Sequence, residues 1–290
     1  MAAEAPGRHH PQTPGHMRKA TILLTLCGCM GAAPLHASFD PIPADPRGLA
    51  MSGSVAALPG DAFGMLYNPA SPASSAGASV AAACAIPYGD DGLATRSAAA
   101  KAGSLPFDRN GAASVAFRGY SPNGYRESSW SAGYSRRLTT AIRAGISVSR
   151  MELGVTGFAD RPATGINAGI MVEPWPRITL GVSSLNLNSP SIGAGNSLPR
   201  TTLAGISYRF DNGNLLTATA QGDPERPGRI LAGAAFKVAP SLAMLAGAGT
   251  NPSVASAGAA FTMGAVRATA AASRNLDLGT TAAFGLELGL

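Results

Sequence analysis

From residue 77 to the C-terminus the chain alternates, apolar then small or polar, with almost no interruption. In TTAIRAGISVSR (139–150) Ile142, Ala144, Ile146 and Val148 fall on one side, and Arg143, Gly145, Ser147 and Ser149 on the other. RILAGAAFKV (229–238) sets Ile230, Ala232, Ala234, Phe236 and Val238 against Arg229, Gly233 and Lys237, and the last ten residues repeat the pattern from Thr281 to Leu290. A strand sends successive side chains to opposite faces, so a period of two predicts sheet with one greasy and one wet surface. Fourteen such segments are predicted: 77–87, 93–104, 111–120, 125–136, 139–150, 164–173, 177–187, 200–210, 214–221, 229–238, 241–249, 253–262, 265–273 and 279–290. Turn chemistry separates several of them, as at Asn110-Gly111, Asn123-Gly124 and Asp211-Asn212-Gly213.

Segment length selects among sheet architectures. Strands of soluble proteins centre on about five or six residues. Strands that cross a bilayer at a tilt need about 9–11, the length of most segments here. In hydrocarbon every backbone N–H and C=O must be paired, so a spanning sheet closes on itself. Connections alternate too. Those after segments 4, 6, 8, 10 and 12 are short, whereas 151–163, 188–199 and 222–228 are longer; 105–110 breaks the rule. Short turns on one side and longer loops on the other are the pattern of barrels with both termini periplasmic. The fold expected is therefore all-β: an antiparallel transmembrane β-barrel of about 14 strands. Arg118, Arg143, Arg177, Arg229, Lys237 and Arg267 are expected to face the lumen, because a charge on the lipid face near mid-depth costs ~2–4 kcal/mol. A soluble secreted β-sandwich would also alternate. Segment length and the apolar last strand weigh against it; a terminal Leu290 in place of Phe and few girdle aromatics weigh for it.

The N-terminus carries a targeting pattern. Arg18-Lys19 precedes the apolar stretch ATILLTLCGCMGAA (20–33), and Leu35-His36-Ala37 offers a cleavage site after Ala37. Residues 1–37 are read as a signal peptide, with Met17 as an alternative start that leaves 1–16 untranslated. Lipidation of Cys29 is the competing reading. Three of the 22 basic residues and one of the 16 acidic ones precede Ser38, so the remainder keeps a small, scattered positive excess and no nucleic-acid-binding patch. All four histidines and two of the three cysteines lie in the leader, leaving Cys84 in an apolar run. Without it the chain has no Ser-His or Cys-His pair and no His/Cys metal cage, and no nucleotide-binding loop occurs anywhere. No enzyme, cofactor or metal site is expected.

Residues 38–76 do not alternate. Asp45-Pro46 reads as an N-cap with Pro at the first helical position. Asp61 is placed to cap a second short helix, which Pro69 ends. Two short turns are no domain, so the segment is expected to plug the barrel. RGLAMSGSVAALPGDAFGMLYNPASPA (47–73) resembles the N-terminal signature of the FadL-like outer-membrane superfamily, nearest its PorV/PorQ-like branch. Arg47, Met51, Gly53, Asp61, Tyr67, Asn68, Pro69 and Ala70 match the signature; Ser52 stands where Gly is usual. The resemblance implies a fourteen-stranded barrel with its N-terminal segment inside. It implies one of two roles: a barrel partner in the envelope or in protein secretion, or a transporter of hydrophobic small molecules. The short loops favour the first, in contact with outer-membrane lipid and secretion-system proteins. Under the second, Phe63, Met65 and Leu66 line the path.

Overall fold

The computed structural model describes residues 45–193, 197–224 and 226–290, together with residues 1, 39 and 43. The leader readings, including cleavage after Ala37 and lipidation at Cys29, fall outside the described residues. A short helix α1 (Pro46–Ala50) and two 3-10 turns (Gly64–Leu66 and Ser71–Ser74) come first. Fourteen strands follow: β1 (Ala78–Ile86), β2 (Thr95–Leu105), β3 (Asp108–Tyr120), β4 (Tyr125–Arg137), β5 (Ile142–Val155), β6 (Arg161–Trp175) and β7 (Ile178–Leu185). The second half comprises β8 (Thr201–Arg209), β9 (Leu215–Asp223), β10 (Arg226–Ala239), β11 (Leu242–Gly249), β12 (Val254–Met263), β13 (Val266–Asn275) and β14 (Gly279–Gly289).

Each strand pairs antiparallel with its sequence neighbours, and β1 pairs with β14, Cys84 opposite Phe284, so the sheet closes. Closure leaves no unpaired edge, which a two-sheet sandwich would have. The alternation sorts the faces as a bilayer requires. Ile146, Ile166, Leu180, Ile206, Ile230, Phe284 and Leu286 point outward and are exposed. Ser131, Ser147, Asn167, Ser183, Ser207, Thr217, Thr219 and Ser256, at the alternate positions, are buried. The chain is a transmembrane barrel with an apolar exterior.

Two expectations on loop length change. Residues 106–107 alone join β2 to β3, so the exceptional connection is a short turn after all. The 151–163 and 222–228 stretches are mostly strand, because β5, β6, β9 and β10 run past the predicted ends and leave only 156–160 and 224–225 between them. Their polar residues look like loop in sequence, yet backbone pairing continues through them, as at Met151↔Ala163 and Leu153↔Arg161. The connection at 186–200 remains long.

The core lies inside the cylinder, between wall and plug. Met51, Val55 and Leu58 of the plug pack with Leu215; Leu49 and Ala50 pack with Leu245, Ala271 and Ala283; Ala62, Phe63 and Met65 pack with Ala99 and Ala116. Burying a side chain such as Met51 or Met65, 0% and 1% exposed, contributes about 1.5–3 kcal/mol.

Candidate functional site in the plugged lumen

A segment without regular structure buries its backbone only if its polar groups find partners. Here the wall supplies them. Ser183 Oγ donates to Tyr67 O (2.7 Å), Ser207 Oγ to Ala57 O (2.9 Å) and Ser256 Oγ to Ala50 O (2.9 Å). Ser52 and Ser256 hydroxyls lie 2.6 Å apart, and Ser54 Oγ reaches Thr217 and Thr219 at 3.4 and 3.3 Å. Asn68 is fully buried: its Nδ2 donates to Ala56 O (2.8 Å) and to Ile170 O on β6 (3.4 Å), while its Oδ1 accepts from Ala70 N (3.0 Å). The Asn68-Pro69-Ala70 turn is thus a tie within the plug as well as to the wall.

The wall also makes room. Gly145 faces the Pro69 carbonyl, Gly169 the Asn68 side chain, Gly181 the Ala56 carbonyl and Gly247 the Met51 backbone; at each, a methyl group would overlap the plug. Gly233 sits under Met51, Gly258 under Ala50 and Gly285 under Pro46. One inward glycine on strand after strand makes a belt on which the plug backbone rests directly.

Charges latch one end. Asp45 caps α1, its Oδ2 accepting from Gly48 N (3.0 Å) and its Oδ1 from the Tyr67 hydroxyl (2.6 Å). Arg47 pairs with Asp61 at 2.9 Å, Glu287 accepts from Ala62 N (3.2 Å), and Arg267 lies 3.3 Å from Glu287. Asp61 therefore serves as the ion partner of Arg47 and does not cap the Gly64–Leu66 turn, which has no side-chain cap. Burial, and next the nearby Asp61, push the Asp45 carboxyl up to about 6, against the pull of Tyr67, Gly48 and Arg47. Burial is the largest influence on Arg47 and acts to lower it, yet Asp61, Asp45 and Glu287 together hold the guanidinium above its ordinary value.

The other sequence-derived positions fall as follows. Ser52 and Gly53 adopt φ 51° and 81°, left-handed geometry that explains why Gly is the residue at ease there. Phe63 is buried against the wall, whereas Met65, Leu66 and Tyr67 form part of a cavity of about 190 Å³ towards the long-loop end. Arg118 and Arg229 line that cavity. Lys237 and Arg267 line a vestibule of about 610 Å³ at the short-turn end, together with Arg47, Asp61 and Glu287. Arg143 is buried on β5 and paired with Glu173. Arg177 is not on the wall: it occupies the turn between β6 and β7 at φ 74°, paired with Asp211. Cys84 lies on the outward face with Val80 and Ala82, not in a core. Lys101, buried on the inner face of β2 and hydrogen-bonded to Ser75, is a lumen cation that the sequence reading missed, as are the wall hydroxyls that hold the plug.

No family model and no curated protein matches the chain. Solved structures do. A FadL homologue of Pseudomonas aeruginosa matches with a TM-score of 0.59 and 14% identity over 86% of this chain and 98% of that one. The toluene transporter TodX of Pseudomonas putida matches with a TM-score of 0.61 and 12% identity over 84% and 97%. The CymD monoaromatic hydrocarbon channel matches with a TM-score of 0.62 and 10% identity over 85% and 96%. The fold is that of the FadL-type barrels. At such identities the likeness concerns architecture, and it does not single out the PorV/PorQ-like branch. The matched structures are channels and transporters, not enzymes. Among the described residues no cluster of His, Cys, Asp and Glu has the makings of a metal site.

Proposed function

We propose that the chain is an outer-membrane channel for small hydrophobic solutes, with residues 45–76 as its stopper. One observation carries this reading: a cavity with Met65, Leu66, Met151, Leu203 and Leu231 in its lining sits on the plug, towards the end with the 186–200 connection, which would face outward. Its volume of about 190 Å³ compares with roughly 150 Å³ for an apolar protein cavity that takes up benzene. The channels of like architecture are described as carrying toluene and monoaromatic hydrocarbons. A solute would enter at the long-loop end, rest on Met65 and Leu66, and pass when the plug shifts. Phe63, packed into the wall, would serve to seat the plug and not to contact the solute. The lumen cations Lys101, Lys237 and Arg267 would hold the latch charges in place at the periplasmic end.

Toluene uptake by cells that carry the barrel in their outer membrane tests this. Uptake above that of matched cells without the barrel is expected; equal uptake removes the reading.

The second reading, a PorV/PorQ-like partner in the envelope or in secretion, is favoured by the short outer connections and the dense packing around the plug. Crosslinking in native envelopes would then recover an envelope protein with the barrel, and recovery of the barrel alone would count against it.

A further inference from the structure

The cavity on the plug has a polar wall as well as an apolar one. Ser131 (β4), Ser147 and Ser149 (β5) and Asn167 (β6) stand side by side on three adjacent strands and line it. Asn167 Nδ2 donates to both Ser147 Oγ and Ser149 Oγ at 3.1 Å, and its Oδ1 accepts from Asn186 N at 2.9 Å, so both amide protons are spent. Ser131 and Ser149 hydroxyls lie 2.8 Å apart and share one proton. A serine hydroxyl has one proton and two lone pairs. Of the three hydroxyl protons in this ladder, one is therefore spent between Ser131 and Ser149. The other two have no acceptor among the described residues.

The cavity's charged side chains are also engaged within the protein. Arg118, Arg226 and Arg229 line the same cavity, but each already has a partner in the protein. Glu127 accepts from Phe39 N (3.0 Å) and from the Tyr125 hydroxyl. A carboxylate leaving water for neutral hydroxyls would lose more hydration than they return. A neutral oxygen on an apolar body loses less and gains a donor.

We infer that the preferred solute is a neutral, oxygen-bearing ring compound of phenol size, its ring on Met65, Leu66, Leu203 and Leu231 and its oxygen accepting from the Ser131/Ser147/Ser149 ladder. This deepens the transport reading and rests on it. The probes are phenol, toluene and benzoate, dialysed to equilibrium against the full barrel in nanodiscs, with binding to empty nanodiscs subtracted. Removing the hydroxyls with S131A/S147A/S149A should lower the affinity for phenol relative to toluene about fivefold, the usual worth of a neutral hydrogen bond. Toluene, which takes no hydrogen bond, should still bind, and that binding shows that the variant is folded. An unchanged phenol-to-toluene ratio overturns the assignment. So does benzoate binding more tightly than phenol in the unaltered barrel. If none of the three binds, the transport reading itself fails, an outcome distinct from toluene binding without discrimination.

Discussion

At the scale of single residues, the polar contacts around the plug divide into neutral ties and a charged latch. The latch is pH-sensitive through Asp45. Its carboxyl sits at about 6 inside the barrel and near 3.8 when free, so the plugged state binds the extra proton between those values. Stability of the docked plug should therefore rise as pH falls from about 6 to 4, the reverse of a salt-bridged carboxylate. Asp45→Asn imitates the protonated form: its one oxygen can accept from Gly48 N while its amide donates to the Tyr67 oxygen. It should raise the unfolding temperature at pH 7.5, by an effect of at most about 3 kcal/mol, and abolish the rise on going to pH 5. Thermal melts monitored by tryptophan fluorescence check both; an Asp45→Asn barrel that melts lower at pH 7.5 would refute burial as the dominant influence on this carboxyl. Ser52 makes a second case. At φ 51° it bears strain that glycine would relieve, but its hydroxyl meets Ser256. Ser52→Gly should leave stability within about 1 kcal/mol, gain and loss offsetting, whereas Ser256→Ala should cost about 1–3 kcal/mol by leaving Ala50 O and Ser52 buried without a partner.

At the scale of elements, the glycine belt explains how an irregular segment fits a tube. Wall strands present serine and threonine to the plug's carbonyls and glycine to its backbone. Gly181→Val would drive a branched side chain into the Ala56 carbonyl, which has no free rotor to move aside. Overpacking of this kind costs about 1–3 kcal/mol, and the barrel itself should survive it. Limited trypsin digestion should then cut after Arg47, while Gly222→Val, where nothing lies within 4 Å, should leave the site protected. Equal protection in both would mean that the plug does not rest on Gly181.

Strand existence and facing were legible because the period of two survives any loop length: Ile142, Ile146 and Val148 could only share one face. Ends were less so, since Glu152, Gly154 and Pro162 make 151–155 and 161–163 read as loop, yet both stretches keep their ladder bonds. In the plug, Asp45 and Pro46 announced their cap. Asp61 misled, because a capping distance in sequence does not reveal that Arg47 lies nearer in space. The wall hydroxyls were visible as a polar face. Which of them reach the plug depends on how the tube wraps, and no local pattern records that.

At the scale of the whole molecule, closure, an apolar exterior and a filled lumen belong together. A barrel of fourteen strands is wide enough to need a filling, and a filling of about 30 residues with few large side chains needs a wall of small ones. Part of the chain's glycine content follows from this fit, in the wall glycines from Gly145 to Gly285 that lie against the plug. Planar bilayers should accordingly show little ion conductance for the intact barrel, and a large, stepwise conductance once residues 45–76 are deleted. A wide steady pore in the intact protein would mean that the plug does not fill the lumen.

The most direct test of the central claim, that the seated plug governs passage, is a reversible lock across it. The Ser52 and Ser256 hydroxyls, 2.6 Å apart, join plug to wall at a separation suited to a disulfide between S52C and S256C. In a Cys84→Ala background, toluene uptake should fall to that of cells without the barrel when the pair is oxidised, and return when it is reduced. Full uptake through the oxidised barrel would contradict the claim.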